Sequence, residues 1–251
     1  MNTVLSLIVM LSQNTLKADI TNTIACYIIE HMDEMHDKSI KQLSEDCYTS
    51  TTSINKFCSL LGFNSYSEFK TQLLSNFKTR KMQLKDKHEQ LNVDDLFCKI
   101  NEISEEKIDK TIFFEMINYL VELIKEKKKI YFYGAVFPLA LTQAFIEDMS
   151  VMNVVVFNKQ LSRGINDFDC HKGVHIILTL SGRYLETKRS EYNKLCQINK
   201  PTVLISKEKE YIGNVTMNIP MPNTKSTDYD DIILLLLLDI IKLKYYESLK
   251  I

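Results

Sequence analysis

The stretch SIKQLSEDCYTSTTSINKFCSLLGF, residues 39–63, predicts two short helices joined by a tight turn. Ser39 is suited to cap the first helix and Thr49 or Ser50 the second, because a hydroxyl accepts a hydrogen bond from the free N–H groups of a helix start. This leaves a connection of about three residues, the length typical of a helix-turn-helix unit. Apolar residues at helical spacing give both helices an inner face. They are Ile40, Leu43, Ile54, Phe57 and Leu61.

The outer face of the second helix carries short hydrogen-bonding side chains and one cation. Its members are Ser50, Thr51, Thr52, Asn55 and Lys56. Such side chains suit the phosphate oxygens and the base edges of a DNA major groove. Between Ser39 and Lys81 the chain has six basic residues and three acidic ones, so the local charge is +3. A generic helical bundle with a solvated polar face is the alternative, and spacing alone does not decide between the two.

The composition of the whole chain excludes several classes of protein. Its 251 residues are 45% hydrophobic and 25% charged, which excludes a disordered or fibrous chain. The 31 basic and 32 acidic residues give a net charge of −1, so no global preference for nucleic acid or for a membrane is visible. Six glycines and no tryptophan disfavour a barrel or sandwich with many tight turns. At about 150 residues per domain, we expect one large or two modest domains.

The cysteines and the apolar segments indicate a cytoplasmic protein. The six cysteines are widely spaced without a C-x-x-C pair, and a chain of this length buries a core without disulfides, so we expect reduced thiols. The apolar start, residues 4–11, lacks the basic flank and the cleavage site of a signal peptide. The apolar run Ile232–Leu238 is far shorter than the roughly 20 residues that span a membrane, so we expect no membrane segment.

Helical spacing dominates the first part of the chain, and strands alternate with helices in the second. We predict a helix-turn-helix domain over residues 1–77, a helical linker over 78–105 and an α/β domain over 106–251. Predicted strands cover residues 130–133, 154–157, 174–180, 202–206 and 215–219. Predicted helices cover residues 112–128, 138–152, 184–199 and 229–249. This alternation is typical of a doubly wound parallel sheet with helices on both faces, an α-β-α architecture that here follows an all-helical head.

A longer motif in the head resembles a known family. The run Thr49-Ser50-x-x-Ser53-Ile54-x-Lys56-Phe57-Cys58-x-x-Leu61-Gly62-Phe63-x-x-Tyr66-x-Glu68-Phe69-Lys70 is similar to the N-terminal domain of the RpiR (MurR/RpiR) family of bacterial transcriptional regulators. That family joins a helix-turn-helix head to a sugar isomerase (SIS) domain. The resemblance implies a head that binds DNA, and we expect Tyr66 and Lys70 to contact the flanking DNA backbone. Ser53 and Lys56 depart from the threonine and arginine usual in the family, and lysine lacks the bidentate fork of arginine.

Two loops at the carboxyl ends of predicted strands are candidates for ligand binding, because ligands of doubly wound sheets lie there. The first, Gly134-Ala135-Val136-Phe137-Pro138, resembles the SIS loop G-x-G-x-S, but only Gly134 matches. Val136 adds bulk where the family has glycine, and Pro138 lacks an N–H group. This half of an anion cradle is therefore weakened.

The second loop, Thr179-Leu180-Ser181-Gly182-Arg183-Tyr184-Leu185-Glu186, resembles the SIS motif S-x-S-G-x-T-x-E. Arg183 adds a cation that can bind a phosphate through two hydrogen bonds. The resemblance implies a sugar phosphate as effector, and the candidate ligand residues are Gly134, Ala135, Thr179, Ser181, Gly182, Arg183 and Glu186. The alternatives are another anionic metabolite, or no ligand at all with Ser181 and Gly182 forming an ordinary strand-to-helix turn.

Other clusters give weaker indications. Cys170, His171 and His175 do not share a helical face and lack a second cluster, so we expect no metal and no other cofactor. Glu147, Asp148 and Glu186 have no evident partner, and we expect them on solvated helix faces rather than in an acid/base pair. We therefore predict that the protein is not an enzyme. A sugar-phosphate isomerase, or a SIS-like body that has lost its ligand and serves as a dimer scaffold, are the alternatives.

Three strongly apolar segments are candidates for an interface between copies of the chain. They cover residues 1–11, 113–124 and 232–249. Core packing is the other use of such segments, but a helix-turn-helix protein commonly binds two DNA half-sites related by two-fold symmetry. We therefore predict a homodimer or higher homo-oligomer that binds a double-stranded DNA operator.

Overall fold

The computed structural model describes residues 3–13, 19–159, 172–197, 200–207 and 215–249. The chain divides into two compact units. Unit 1 consists of Met1–Lys87 and Ile146–Val155, and unit 2 consists of His88–Phe145 and Val156–Ile251. The predicted order, a helical head with a helix-turn-helix followed by an α/β part, is confirmed.

The first part of unit 1 is helical. Its elements are α1 (Thr3–Ser12), α2 (Ile20–Glu30), the short 3-10 helix η1 (Met32–Glu34), α3 (Ile40–Asp46), α4 (Thr51–Leu60) and α5 (Tyr66–Gln90). Helix α1 packs on α2, and α4 packs on both α2 and α3. The inner faces of these helices form the core of the unit, because their apolar residues recur at helical spacing. Fully buried members include Leu5, Ile8, Ile24, Ile28, Leu43, Ile54, Phe69 and Leu73.

Side-chain caps determine where α2, α3 and α4 begin. Asp19, Ser39 and Ser50 each accept a hydrogen bond from the backbone N–H three residues further on. Gln42 completes a capping box, because its side-chain oxygen accepts the N–H of Ser39 at 2.9 Å. Of the two alternatives that the sequence left for α4, Thr49 and Ser50, the structure uses Ser50. Each such cap stabilises its helix by about 1 kcal/mol.

Unit 2 is built on a five-stranded sheet. Its strands are β1 (Lys129–Gly134), β2 (Val155–Lys159), β3 (Val174–Thr179), β4 (Thr202–Ser206) and β5 (Met217–Pro220). Their order is β2-β1-β3-β4-β5, and the pairs β1 with β3, β3 with β4 and β4 with β5 are parallel. Strands β3 and β4 are buried along their whole length, as expected for a parallel sheet covered by helices.

Helices accompany this sheet in the described part of the chain. They are α6 (Val93–Ile103), α7 (Lys110–Lys127), α8 (Val136–Ala140), α9 (Gln143–Ser150), α10 (Arg183–Thr187), α11 (Arg189–Gln197) and α12 (Asp228–Ser248). Of these, α9 begins in unit 2 and continues into unit 1 from Ile146 onward. The single helix predicted over residues 138–152 is divided into α8 and α9. The break between α8 and α9 includes Thr142, whose hydroxyl donates to the carbonyl of Leu139 at 2.7 Å. This local hydrogen bond competes with those of a continuous helix. The helix predicted over 184–199 is likewise divided, at Lys188.

The range predicted as a helical linker, residues 78–105, contains the end of α5 and all of α6. Helix α6 packs against α12 and buries four apolar side chains, so it belongs to the core of unit 2. They are Val93, Leu96, Phe97 and Ile100, whose spacing is that of one helix face. The assignment of functions to the three predicted ranges stays a prediction.

A buried ion pair joins α5 to the end of α9 within unit 1. Glu147 and Asp148 are 7% and 3% exposed. The Nε of Arg80 donates to a carboxylate oxygen of Asp148 at 2.7 Å, and its Nη1 lies 3.9 Å from a carboxylate oxygen of Glu147. The expectation that these carboxylates lie on a solvated face was wrong, because the cation that pairs with Asp148 is 68 residues away in the chain. Helical spacing carries no information about such a partner.

The described residues also bear on the apolar segments and the cysteines. Among them, no helix combines the length and the apolar character that a membrane crossing requires. Most of the apolar side chains of α12 are buried within unit 2, where the helix packs against α6 and α7.

No disulfide joins the cysteines in the described part of the chain. Burial raises the pKa of the Cys47 and Cys58 thiols to about 11, so both are protonated and unreactive at neutral pH.

Candidate functional site

Helix α4 presents its polar face to solvent, as the sequence predicts. Thr51, Thr52, Asn55 and Lys56 are all exposed, whereas the opposite face of the helix packs into the core. Ser50 has a second role, because its hydroxyl oxygen accepts the N–H of Ser53 at 3.1 Å and so caps the helix. The five residues predicted for the outer face therefore lie on one accessible surface at and after the start of α4. We call this surface the α4 face.

Aromatic packing holds α4 against α5. The ring of Phe57 on α4 meets that of Phe69 on α5 edge to face, with centroids 5.9 Å apart. The ring of Phe63, in the loop after α4, also meets that of Phe69 edge to face, with centroids 5.7 Å apart. The turn that brings Phe63 there depends on Gly62, whose φ of +87 is a left-handed conformation that suits glycine. These contacts fix the orientation of the α4 face.

Tyr66 and Lys70, predicted to contact a DNA backbone, bond to the loop that precedes α3. Tyr66 is 9% exposed, and its hydroxyl donates to the carbonyl of Lys38 at 2.9 Å. The ammonium of Lys70 donates to the same carbonyl at 3.0 Å and to that of His36 at 2.8 Å. Both residues therefore support the loop from α5. Because Tyr66 is 9% exposed and its hydroxyl is already bonded, little of that side chain is left for an outside partner.

A charged network that connects α2, η1 and α3 was not visible in the sequence. The ammonium of Lys38 lies 2.7 Å from a carboxylate oxygen of Asp46 and 3.3 Å from one of Glu34. The Tyr27 hydroxyl donates to the same oxygen of Asp46 at 2.7 Å. Hydrogen bonds from Lys38 and then Tyr27 hold the pKa of Asp46 below its usual value, and Asp46 is the main cause that raises the pKa of Lys38. The network ties the end of α3 to α2 and to the loop after η1.

Unit 2 contains a cavity of about 590 Å³ beyond the carboxyl ends of β1 and β3. The predicted ligand residues that line it are Ala135, Thr179, Ser181 and Arg183. Three other predicted residues do not line it, although they are adjacent in the chain to residues near its wall. They are Gly134, Gly182 and Glu186. Both predicted loops therefore meet at one cavity, as the carboxyl ends of neighbouring parallel strands must.

The two glycines have backbone roles at this edge of the sheet. A Cβ on Gly134 would lie 2.9 Å from the carbonyl oxygen of Leu178, so only glycine allows β1 and β3 to approach so closely there. Gly182 has φ +74 and begins α10, where its carbonyl accepts the N–H of Leu185 at 2.8 Å. Arg183 follows directly and its Nε donates to the Ser181 hydroxyl at 3.1 Å, which keeps the guanidinium close to the loop.

Three aspartates that the sequence analysis missed line the same cavity. Asp228, Asp230 and Asp231 are in the first turn of α12. Asp230 is neutralised within the protein, because it forms an ion pair with Lys207 and accepts the Thr224 hydroxyl at 2.6 Å. Burial, followed by the charges of Asp230 and Asp228, raises the pKa of Asp231. These residues belong to α12, so neither loop motif indicates them. The negative charges of Asp228 and Asp231 oppose the binding of an anion.

The predicted absence of a metal site rests on residues that are only partly described. His175 lies in β3, where its Nδ1 is 3.0 Å from the buried Tyr133 hydroxyl and its ring stacks on Tyr131 and Tyr133. Cys170 and His171 lie outside the described residues. Within the described ranges, no group of three or more His, Cys, Asp and Glu side chains is arranged to hold a metal ion.

Comparison with known proteins agrees with the geometry of the head. Residues 3–80 match the family model described as a helix-turn-helix domain of the rpiR family. The resemblance read from the head motif is thus confirmed for this range, which runs from the start of α1 into α5. No curated protein matches the chain. Among solved structures, the Vibrio vulnificus NanR protein complexed with ManNAc-6P matches with a TM-score of 0.44 and 14% identity, over 96% of this chain and 92% of that one.

Proposed function

We propose that this protein is a DNA-binding transcriptional regulator whose α/β part binds a phosphorylated sugar or a similar anionic metabolite. The observation that carries the proposal is the α4 face: a capped, exposed polar helix face within a range that matches a helix-turn-helix family. Short hydroxyls, an amide and a cation are the groups that read base edges and phosphates in a major groove. A regulator of this kind acts on chromosomal DNA in the cytoplasm.

Within the head, the residues proposed to contact DNA are those of the α4 face. Thr51, Thr52, Asn55 and Lys56 enter the groove, and Ser50 meets the backbone at the start of the helix. Tyr66 and Lys70 support the loop before α3, so we assign them a positioning role instead of the predicted backbone contact. Because two copies of such a head bind half-sites about one helical turn apart, we propose that the protein acts as a homodimer or higher homo-oligomer on a two-fold symmetric operator.

In unit 2, the proposed effector site is the cavity beyond β1 and β3. Arg183, Thr179 and Ser181 supply the cation and the hydroxyls that an anionic group requires, and Gly182 gives the backbone turn between them. The SIS-like loops that resemble those of the RpiR family support the same assignment. We propose that the effector is not turned over. Two acid/base candidates of the isomerase alternative, Glu147 and Asp148, are held by Arg80 within unit 1. The third, Glu186, does not line the cavity.

A specific observation favours a second candidate, in which unit 2 has lost its ligand and serves as a scaffold for a dimer. Val136 and Pro138 replace the glycine and serine of the SIS loop, and Asp228 and Asp231 add negative charge to the cavity. An anion would bind there less well than in an unmodified SIS loop. The scaffold candidate leaves the DNA-binding head unchanged, so it differs from the first candidate only in its response to metabolites.

The proposed function is tested by selecting bound fragments of the source genome with the purified full-length chain. We expect a small set of fragments that share a two-fold symmetric sequence, and footprinting should then locate one protected half-site for each head. Enrichment of no fragment above background, with protein whose folding is verified by thermal melting, would reject the DNA-binding proposal. Turnover of a ketose or aldose phosphate by the same preparation would instead favour the isomerase.

A further inference from the structure

Helices α3 and α4 end in the same backbone motif, and they fill its left-handed position with different residues. At the end of α4 the N–H of Gly62 donates to Ser59 and that of Phe63 to Cys58, with Gly62 at φ +87. This is a Schellman motif, in which glycine is the usual left-handed residue because it has no Cβ. The end of α9 has the same pattern with Asn153 at φ +58, an amide residue that tolerates this conformation. Glycine therefore fills the left-handed position at one of these three turns.

In the turn between α3 and α4 the left-handed residue is Tyr48, with φ +50. Its N–H donates to the carbonyl of Glu45 at 3.0 Å, and the N–H of Thr49 donates to that of Ser44 at 2.8 Å, which is the same pattern. The preceding residue, Cys47, is buried, so the backbone cannot relax without moving the core. A bulky residue in this conformation is strained, and glycine would relieve the strain.

The fold gives no reason for a tyrosine at this position. The Tyr48 side chain is 97% exposed. Across the described part of the chain, no hydrogen bond, ion pair or ring contact involves that side chain. A strained backbone position that its own fold does not explain is a candidate for a functional contact with a partner outside the chain.

The position of Tyr48 favours DNA as that partner. Tyr48 comes two residues before Ser50, the cap of α4, and the start of a recognition helix is the part that enters the major groove. A side chain that projects from this turn lies where the phosphate backbone borders the groove. The nearby carboxylates have cations of their own, because Lys38 pairs with Asp46 and Lys41 lies 3.9 Å from Glu45. The exposed residues around Tyr48 in the sequence, among them Gln42, Ser50 and Thr51, are polar groups that suit a phosphate backbone.

Resting on the proposed function, we propose that Tyr48 is a DNA-contacting residue. Its phenolic O–H donates a hydrogen bond to a backbone phosphate oxygen at the edge of the major groove, and its ring packs against the adjoining deoxyribose. Tyrosine is among the side chains that make such contacts, which fix the register of a protein on the duplex. The contact adds affinity and orientation without reading the base sequence.

The experiment compares Tyr48→Phe and Tyr48→Gly with the wild-type full-length chain on one selected DNA fragment. Tyr48→Phe should weaken binding about tenfold, since it removes one hydrogen bond to a charged group. Tyr48→Gly should weaken binding further, yet its thermal midpoint should equal or exceed that of the wild type because the left-handed strain is relieved. The loss should be similar for related fragments of different sequence. The slope of log affinity against log salt should stay unchanged, because an uncharged phenol displaces no counterion.

Tyr119→Phe, at an exposed tyrosine of α7, is the matched control and should leave DNA binding unchanged. If the wild type binds DNA and both Tyr48 variants bind it as tightly as the wild type does, the Tyr48 contact is overturned and the proposed function stands. Failure of the wild-type chain to bind any DNA would overturn both. Equal DNA affinity together with a changed molecular mass in solution would assign Tyr48 to a protein contact instead. If Tyr48→Gly lowers the thermal midpoint, the strain argument is wrong, and Tyr48→Phe alone then decides the contact.

Discussion

At the scale of single residues, Lys56 determines the electrostatics of the α4 face. It is the one basic residue in the sequence of α4, and it is exposed. Lys56→Ala should weaken DNA binding and lower the slope of log affinity against log salt by about one if the ammonium meets a phosphate. If it meets a guanine instead, the substitution should relax base preference at one position of the half-site. Fluorescence anisotropy over a range of potassium chloride concentrations, on matched and mutated operators, measures both effects.

Lys99→Ala is the control for this prediction, because Lys99 is an exposed lysine on α6 in unit 2. It changes the net charge by the same amount but lies outside the helix-turn-helix. A Lys56→Ala protein that keeps both the affinity and the salt slope of the wild type would mean that α4 does not enter the groove as proposed.

Among the elements, α5 is held to the end of α9 by a cation that the fold has taken largely out of water. Removing Arg80 would leave the carboxylates of Asp148 and Glu147 buried without their cation, and breaking a buried pair from one side typically costs about 3 kcal/mol or more. Arg80→Ala should therefore lower the midpoint of urea unfolding substantially. Lys81→Ala, at the exposed neighbouring position of the same helix, should change it by less than about 0.5 kcal/mol. Equal midpoints for the two variants would contradict the ion pair.

The network that ties α3 to α2 predicts a dependence of stability on pH. The folded pKa of Asp46 is lowered from 3.8, so its contribution is present above that value and is lost as the pH falls through the folded pKa. The folded pKa of Lys38 is raised from 10.5, so its contribution is complete below that value and is lost at higher pH. The stability difference between wild type and Asp46→Asn should be largest near neutral pH and should shrink below about pH 4. Thermal melting at a series of pH values measures it, and a difference that is constant down to pH 3 would contradict the network.

The elements and site residues that the sequence predicts are those defined by local spacing or by chain order. The α4 face follows from helical period and capping, and the meeting of Ala135 with Thr179 follows because parallel strands end at one edge of a sheet. The sequence does not predict contacts that require a partner from far along the chain. Arg80 neutralises Asp148, and Asp231 enters the cavity from the last helix. The spacing of residues within one segment does not predict either contact, so both contacts are seen only in the folded chain.

For the molecule as a whole, the proposed effector site predicts that a sugar phosphate stabilises the fold. A sugar phosphate present at 100 times its dissociation constant should stabilise the folded chain by about 2.7 kcal/mol, which appears as a rise in the thermal midpoint. Arg183→Ala should reduce this rise, since the guanidinium lines the cavity beside Ser181. Arg189→Ala, at an exposed arginine of α11 that does not line the cavity, is the control. A panel of sugar phosphates and inorganic phosphate that gives no rise at millimolar concentration would support the scaffold candidate.

Regulation requires more than binding, because a ligand shifts an equilibrium only by its difference in affinity for the two states. If a sugar phosphate lowers operator affinity by a given factor, saturating operator must lower the affinity for that sugar phosphate by the same factor. Both factors are measurable, the first by anisotropy with labelled operator and the second by calorimetric titration of the free and the operator-bound protein. Arg183→Ala should abolish the coupling while leaving operator affinity without ligand unchanged. A ligand that binds the cavity with equal affinity in both forms would leave the regulator without an effector and would separate occupancy of unit 2 from control of the head.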